Sequence, residues 1–263
     1  MKRPGRVYLV GAGPGDPELL TMKAVRLLSR AQVVVHDRLV SPEVMALVPP
    51  STRCIDVGKA PKTHPVPQQR INEILIGLAM DGLTVVRLKG GDPFIFGRGS
   101  EEAAALTAAG IPVDIVPGVT AAQGAAAATG VPLTHRGLAS GVRYVTGHCR
   151  RDLPLDLDWE GLADPETTLV VYMGAANIPE IATRLIEQGC DASLPVMAVA
   201  SATTPRERHL ISRLDRIAAD IQDAALTGPI LFVIGQVVSL YRTCPDEVLR
   251  RLAAHSLPEP ACA

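Results

Sequence analysis

Residues 10–21 read VGAGPGDPELLT, with three glycines and two prolines between an apolar run and a helical pattern. The choice among α/β folds turns on this stretch. Gly11, Gly13 and Gly15 follow G-x-G-x-G spacing, but the Rossmann fingerprint requires a small residue at position 16, where Asp16 stands. Pro14 and Pro17 fix φ and remove amide donors that a pyrophosphate would use. A ligand-facing turn and a merely tight strand-to-helix turn both fit Gly-Pro-Gly. The Rossmann reading does not.

On either side of this turn, β-rich runs alternate with helical patterns. VYLVG (7–11) reads as a buried strand, LLTMKAVRLLSRA (19–31) as a helix and QVVVH (32–36) as a strand. A short helix over 42–48 leads to RCIDVG (53–58). The helix QQRINEILIGLAMDG (68–82) carries Ile71, Ile74, Leu75 and Leu78 on one stripe. TVVRLKG (84–90) is the next strand, EEAAALTAAG (101–110) a helix ending on glycine, and PVDIVPG (112–118) a fifth strand. Such βαβα order predicts a mainly parallel sheet covered by helices on both faces.

After Pro117-Gly118 the texture changes. VTAAQGAAAATG (119–130) is a helix of very small residues, and VRYVTGH (142–148), TLVVYMG (168–174) and LPVMAVASA (194–202) are strands. An irregular acidic stretch fills 151–166, a helix is expected over 178–189, and RHLISRL (208–214) has strand character. PILFVIGQ (229–236) ends the regular pattern, and SLPEPACA (256–263) is expected to be a mobile tail. The uneven strand spacing suits a mixed sheet. The expected domains are two α/β lobes, 1–118 and 119–263.

The chain of 263 residues has a net charge of -1, so any anionic ligand must meet local arginines and lysines rather than a basic surface. Nucleic acid and membrane are therefore not expected partners. Cys54, Cys149, Cys190, Cys244 and Cys262 are odd in number and form no C-x-x-C pair, which argues against a disulfide framework or a zinc site. No apolar segment is long enough to span a bilayer or to serve as a signal peptide core. A cytoplasmic protein without a metal is expected.

The polar and glycine clusters fall where strands end, which is where open α/β sheets bind ligands. RLKGGDPFIFGRG (87–99) holds two of the chain's three phenylalanines, Phe94 and Phe96, in a turn-like setting. They either offer flat surfaces to a ring or plug the junction of the lobes. Arg98 could reach a ligand or pair only with Glu101, three residues on. Asp37, in HDRLV (36–40), suits a helix cap or a base. DVGKAPKTHPVPQ (56–68) places Lys59, Lys62 and His64 on a proline-stiffened loop. Thr120 opens the small-residue helix, Arg136 lies in PLTHRG (132–137), and Met173, taken alone, reads as core. No Ser-His-Asp order, HExxH, Walker loop or Cys/His metal spacing is present.

Seven of these segments in register, VYLVGAGPGDPELLT, VVRLKGGDPFIFGRG, VPGVTAA, PLTHRG, VTGH, VVYMG and TTPRER, resemble the tetrapyrrole methylase family from Val7 to about Leu240. The resemblance implies two α/β domains of the tetrapyrrole methylase type, with the active site in the cleft between them. It also implies a homodimer and S-adenosyl-L-methionine as methyl donor, leaving as S-adenosyl-L-homocysteine. This agrees with the failed Rossmann fingerprint, and with Val10 standing where the common S-adenosylmethionine fold has an acidic residue. Within the family the chain is most similar to the branch that methylates uroporphyrinogen III at carbons 2 and 7, giving precorrin-2 by way of precorrin-1. A related enzyme acting later on the corrin ring is the alternative.

By that resemblance Pro14, Gly90, Gly91, Asp92, Ile95, Thr120, Ala121, Met173, Ala202 and Ile230 would line the cofactor pocket. Asp37 would accept a proton, Lys59 donate one, and Arg98 act with them. Leu39, Phe96, Glu101, Arg136 and Tyr172 would meet the tetrapyrrole. Arginines suit a substrate with eight carboxylates, each of which a guanidinium can hold in bidentate fashion. The sequence departs from the family pattern at Ala60, where arginine is common, at Ser100 (often glycine) and at Gln236 (often glutamate). Ile230 falls where alanine is frequent. The length leaves no room for a fused second module, so a monofunctional enzyme is expected. Whether its product would feed sirohaem, cobalamin or haem d1 synthesis is left open.

Overall fold

The apolar runs on either side of Gly118 build two sheets. The computed structural model describes residues 3–58, 66–148 and 155–241. Lys59, Ala60, Lys62 and His64 lie outside these residues, as do Cys149, Cys244, Cys262 and the SLPEPACA segment.

The first sheet contains β1 (Val7–Gly11), β2 (Val33–His36), β3 (Arg53–Asp56), β4 (Val85–Lys89) and β5 (Val113–Val116) in the order β3-β2-β4-β1-β5. Every pairing is parallel. Side chains alternate across it, as the pleat requires. Val7, Leu9, Val33, Val35 and Val85 pack on α3 (Gln68–Met80) and α4 (Gly99–Ala108), while Val10, Val34, Val86 and Leu88 meet α1 (Met22–Leu28) and α2 (Pro42–Met45) on the other face.

Helix starts follow local chemistry. Thr21 Oγ1 accepts the Ala24 N–H at 3.2 Å and Ser41 Oγ accepts that of Val44 at 3.2 Å, with Pro42 in the first turn of α2. Asp16 Oδ1 accepts Glu18 N at 2.8 Å and caps a single 3₁₀ turn, Pro17–Leu19. The first helix therefore begins at Met22, three residues later than its periodicity predicts. Asp37 does not cap a helix, because Ser41 fills that role for α2. Instead its Oδ1 accepts the Leu39 N–H at 3.0 Å in a side-chain turn.

The second sheet runs β6 (Gly141–Thr146), β7 (Thr167–Tyr172), β10 (Ile230–Ile234), β8 (Pro195–Ala200), β9 (Arg208–Arg213). It is mixed: β6 and β7 are parallel, and β10 lies antiparallel to both its neighbours. One face packs on α6 (Trp159–Leu162), α7 (Ile178–Glu187) and α8 (Ile217–Asp223), and the other on α5 (Ala121–Thr129). The periodic reading above does not contain α6 or α8. Each is short, and α8 buries only Ile217 and Ile221.

Because β10 is antiparallel to both β7 and β8, these two strands run the same way. Their carboxyl ends and the start of β10 share one edge of the sheet. That edge faces the carboxyl ends of the first sheet. No helix among the described residues is long and apolar enough to cross a membrane.

Candidate active site

Three adjacent strand ends form the floor. After β1 and β4, Ala12 N–H donates to Lys89 O at 2.7 Å, and Gly13 and Gly91 exchange backbone hydrogen bonds of 3.2 and 2.7 Å. After β5, Gly118 N–H donates to Asp92 Oδ2 at 3.0 Å, while Asp92 Oδ1 accepts from Phe94 N at 2.8 Å. Both carboxylate oxygens of Asp92 thus hold the loop. Chain packs directly on chain here: a Cβ on Gly118 would stand 2.3 Å from Gly91 O, and one on Gly11 would stand 2.6 Å from Gly118 Cα. Gly91 differs, with φ at +66° and no atom nearer than 3.9 Å to the place a Cβ would take, beside Ala121 N.

The facing wall comes from the second sheet. Tyr172 ends β7, and its hydroxyl lies 2.7 Å from Thr120 Oγ1 and accepts the Ala122 N–H at 3.2 Å. It thereby caps α5, for which Thr120 makes no side-chain cap of its own. Burial raises the Tyr172 pKa, partly offset by its bond to Thr120. Phe96 reaches across to Tyr172 with ring centroids 5.0 Å apart, and Tyr144 backs the same ring at 5.6 Å. Thr203 Oγ1 accepts Asp16 N–H at 3.1 Å, and Gly124 lets Pro14 and Thr203 approach α5. Tyr172→Phe removes the cap and leaves the buried Thr120 hydroxyl without it. Thermal unfolding should show a loss of about 1–2 kcal/mol.

Backbone strain concentrates at this cleft. Among the described residues, the non-glycines with positive φ are Phe96, Arg98, Met173, Ser201, Thr203 and Ala225, and all but Ala225 border the cleft or its loops. Each such conformation costs about 1–3 kcal/mol and persists where the surroundings over-determine it, typically at functional sites. Met173 is 52% exposed and therefore is not core.

The remaining candidates fall into three groups. Asp37 and Leu39 form a turn against Gly90, where a Cβ would stand 2.7 Å from Leu39 Cβ. Ala202 and Ile230 are buried at the shared edge of β8 and β10, and Ile95 is half-buried beside Phe96. Arg98 and Glu101 make a two-pronged ion pair at 2.8 and 2.7 Å across the first turn of α4. The pair raises the arginine's pKa and lowers that of Glu101. Arg136 stands apart on the exposed turn around His135–Ala139. Lys59 lies outside the described residues.

The sequence reading missed a buried ionic cluster behind the floor. Glu102 Oε1 accepts from Gln68 Nε2 at 3.1 Å, Arg87 Nε at 3.2 Å and Lys89 Nζ at 3.0 Å, and Arg87 Nη2 lies 3.7 Å from Asp37 Oδ2. Burial, then the neighbouring Arg87, lowers the Lys89 pKa. A signal was available: VVRLK is a central parallel strand, and charges at Arg87 and Lys89 fall on the same face.

Around the cleft Gly91 leaves space beside Ala121 N, Pro14 packs on Gly124 of α5, Met173 is exposed and Ala202 is buried.

The model of the tetrapyrrole (corrin/porphyrin) methylases matches residues 6–218. The chain is 60% identical over 256 residues to the uroporphyrinogen-III C-methyltransferase of Paracoccus denitrificans, covering 95% of this chain and 89% of that one. It is 51% identical over 239 residues to the chloroplastic S-adenosyl-L-methionine-dependent uroporphyrinogen III methyltransferase of Arabidopsis thaliana, covering 90% of this chain and 64% of that one. Among solved structures, the uroporphyrin-III C-methyltransferase of Thermus thermophilus in complex with S-adenosyl homocysteine superposes with a TM-score of 0.78 at 44% identity. That match covers 90% of this chain and all (100%) of that one. With the family model matching residues 6–218 and a relative 60% identical over 95% of this chain, the chain belongs to the tetrapyrrole methylase family.

Proposed function

We propose that this protein is an S-adenosyl-L-methionine-dependent uroporphyrinogen-III C-methyltransferase, converting its substrate to precorrin-2 by way of precorrin-1 through methylation at carbons 2 and 7. The observation that carries this reading is the 60% identity to the Paracoccus enzyme over 95% of the chain, both walls of the cleft included. Residues 1–118 and 119–263 are the two domains, and their facing edges make the site.

Pro14, Gly90, Gly91, Asp92, Ile95, Thr120, Ala121, Met173, Ala202 and Ile230 hold the cofactor, which supplies an electrophilic methyl on a sulfonium. Asp92 acts indirectly, by fixing the loop through Gly118 and Phe94. Phe96 and Tyr172 present a tilted aromatic ledge against which a pyrrole ring of the substrate rests, and Leu39 adds an exposed apolar contact. Arg98, released from Glu101, binds a substrate carboxylate, and Arg136 reaches a second one at the rim. The chain's main contribution is orientation, which can remove about 7–11 kcal/mol from a two-reactant barrier. Asp37 takes the proton that the pyrrole loses once its ring carbon has gained the methyl, and Lys59 acts as proton donor. A homodimer in the cytoplasm, supplying the sirohaem, cobalamin or haem d1 route, completes the proposal.

Anaerobically generated uroporphyrinogen III, S-adenosylmethionine and purified protein should give a product heavier by two methyl groups in a mass assay. Binding of the cofactor without any mass gain would instead direct the search to later corrin-ring substrates.

A further inference from the structure

Arg87 belongs to none of the groups assigned above, yet its surroundings are unusually complete. It is 2% exposed and lies on β4, the strand next to β2. Its Nη1 donates to Val35 O on β2 at 3.4 Å and to Leu88 O at 3.1 Å, and its Nε donates to Glu102 Oε1 at 3.2 Å. Glu102 is itself fully buried and is held by Gln68 and Lys89. The guanidinium is planar and rigid, so fixing Nε and Nη1 also fixes Nη2. That remaining corner lies 3.7 Å from Asp37 Oδ2. Asp37 Oδ1 is held from the other side by Leu39 N–H, and Leu39 packs on Gly90 at the floor of the cleft.

We infer that Arg87, clamped by Glu102, is the positioning residue that orients the Asp37 carboxylate toward the reacting tetrapyrrole. The inference rests on the reading of Asp37 as the proton acceptor. Arg87 itself touches neither substrate nor cofactor. It spans β2 and β4 and so ties the turn that carries Asp37 to the loop that carries Gly90 and Gly91. Among the described residues the other charged members of the cluster are Lys89 and Glu102, and the Arg98–Glu101 pair acts on them from α4. With all four ionised the charges cancel, so an Asp37 anion completes the cluster instead of unbalancing it.

The test is a double-mutant cycle on the full chain, using Arg87→Lys and Arg87→Gln, each alone and with Asp37→Asn. Single-turnover methylation of uroporphyrinogen III is read by mass, and S-adenosylhomocysteine binding is read by calorimetry. Arg87→Lys keeps the charge but loses the fork. It should lower the methylation rate about 10- to 100-fold, the range a misplaced catalytic group produces, with cofactor Kd within about twofold of the parent. In the Asp37→Asn background the same change should have almost no further effect, because its target is gone. Arg87 variants at the parental rate, or a rate loss that persists in full in the Asp37→Asn background, overturn the inference and leave the Asp37 reading standing. Asp37→Asn at the parental rate overturns both.

Discussion

Gly118→Ala should be among the most damaging single-methyl changes in the chain, lowering stability by more than about 3 kcal/mol. The new Cβ would sit 2.3 Å from Gly91 O, 2.8 Å from Gly11 Cα and 3.0 Å from Gly11 C. All three are backbone atoms, and no side chain can rotate away to make room. Relief requires parting the Gly13–Gly91 pair or breaking the bond from Gly118 N–H to Asp92, and either movement displaces the floor of the cleft. At about 2–4 °C per kcal/mol for a domain of 150–250 residues, the melting temperature should fall by roughly 6–12 °C. S-adenosylhomocysteine binding should weaken with it. Gly77→Ala is the matched control. Gly77 lies inside α3 with nothing within 4 Å of its Cβ position, so the same methyl should stabilise by about 0.5–1 kcal/mol. Equal melting temperatures for the two variants would refute this account of the loop junction.

Glu102→Gln should cost about 3–5 kcal/mol near neutral pH, the usual consequence of stripping one partner from a buried ionic group. Glu102 is fully buried, and one of its oxygens receives three donors, two of them from cations. Its Oε2 is buried without a partner among the described residues, so the carboxylate is held by charge more than by full hydrogen bonding. The glutamine leaves Arg87 and Lys89 beside each other with only Asp37 to balance them.

Lys89 offers an escape, since burial and Arg87 already lower its pKa. Between that lowered folded value and the unfolded value near 10.4, the unfolded chain binds more protons, so stability rises with pH. Removing Glu102 takes away a group that raises the Lys89 pKa, which widens the window. The deficit of Glu102→Gln should therefore shrink as pH is raised. Lys89→Met added to Glu102→Gln should recover part of the loss at neutral pH. Denaturant unfolding across a pH series checks both; a deficit independent of pH would remove Lys89 from the explanation.

The pattern of apolar runs and strand-end clusters was enough for the class of fold. Val7–Gly11 and Val33–His36 are short, almost wholly apolar strands, and Val85–Lys89 is buried throughout despite its two cations; burial on both faces is the physical reason they read so clearly. The cleft was legible too, because glycines and polar residues gathered at strand ends can hardly serve a core. The short helices α6 and α8 were not legible. α6 lies in the irregular acidic stretch and α8 buries only Ile217 and Ile221, so neither shows an apolar stripe along the sequence, and the stability of each comes from the sheet it packs on.

By itself the sequence determined the βαβα first half, the change of texture after Gly118, the exclusion of a Rossmann turn and the family resemblance. These rest on local spacing, which a chain carries before it folds. Only the tertiary structure decided that Gly11 and Gly118 are glycines for chain-on-chain contact, that Tyr172 caps a helix across the cleft and that Met173 is strained and exposed. It also decided that Arg87, Lys89 and Glu102 share one buried site with the half-buried Asp37 at its edge. Those facts depend on atoms brought together from distant parts of the chain, where packing distance and desolvation, rather than spacing along the sequence, set the energy.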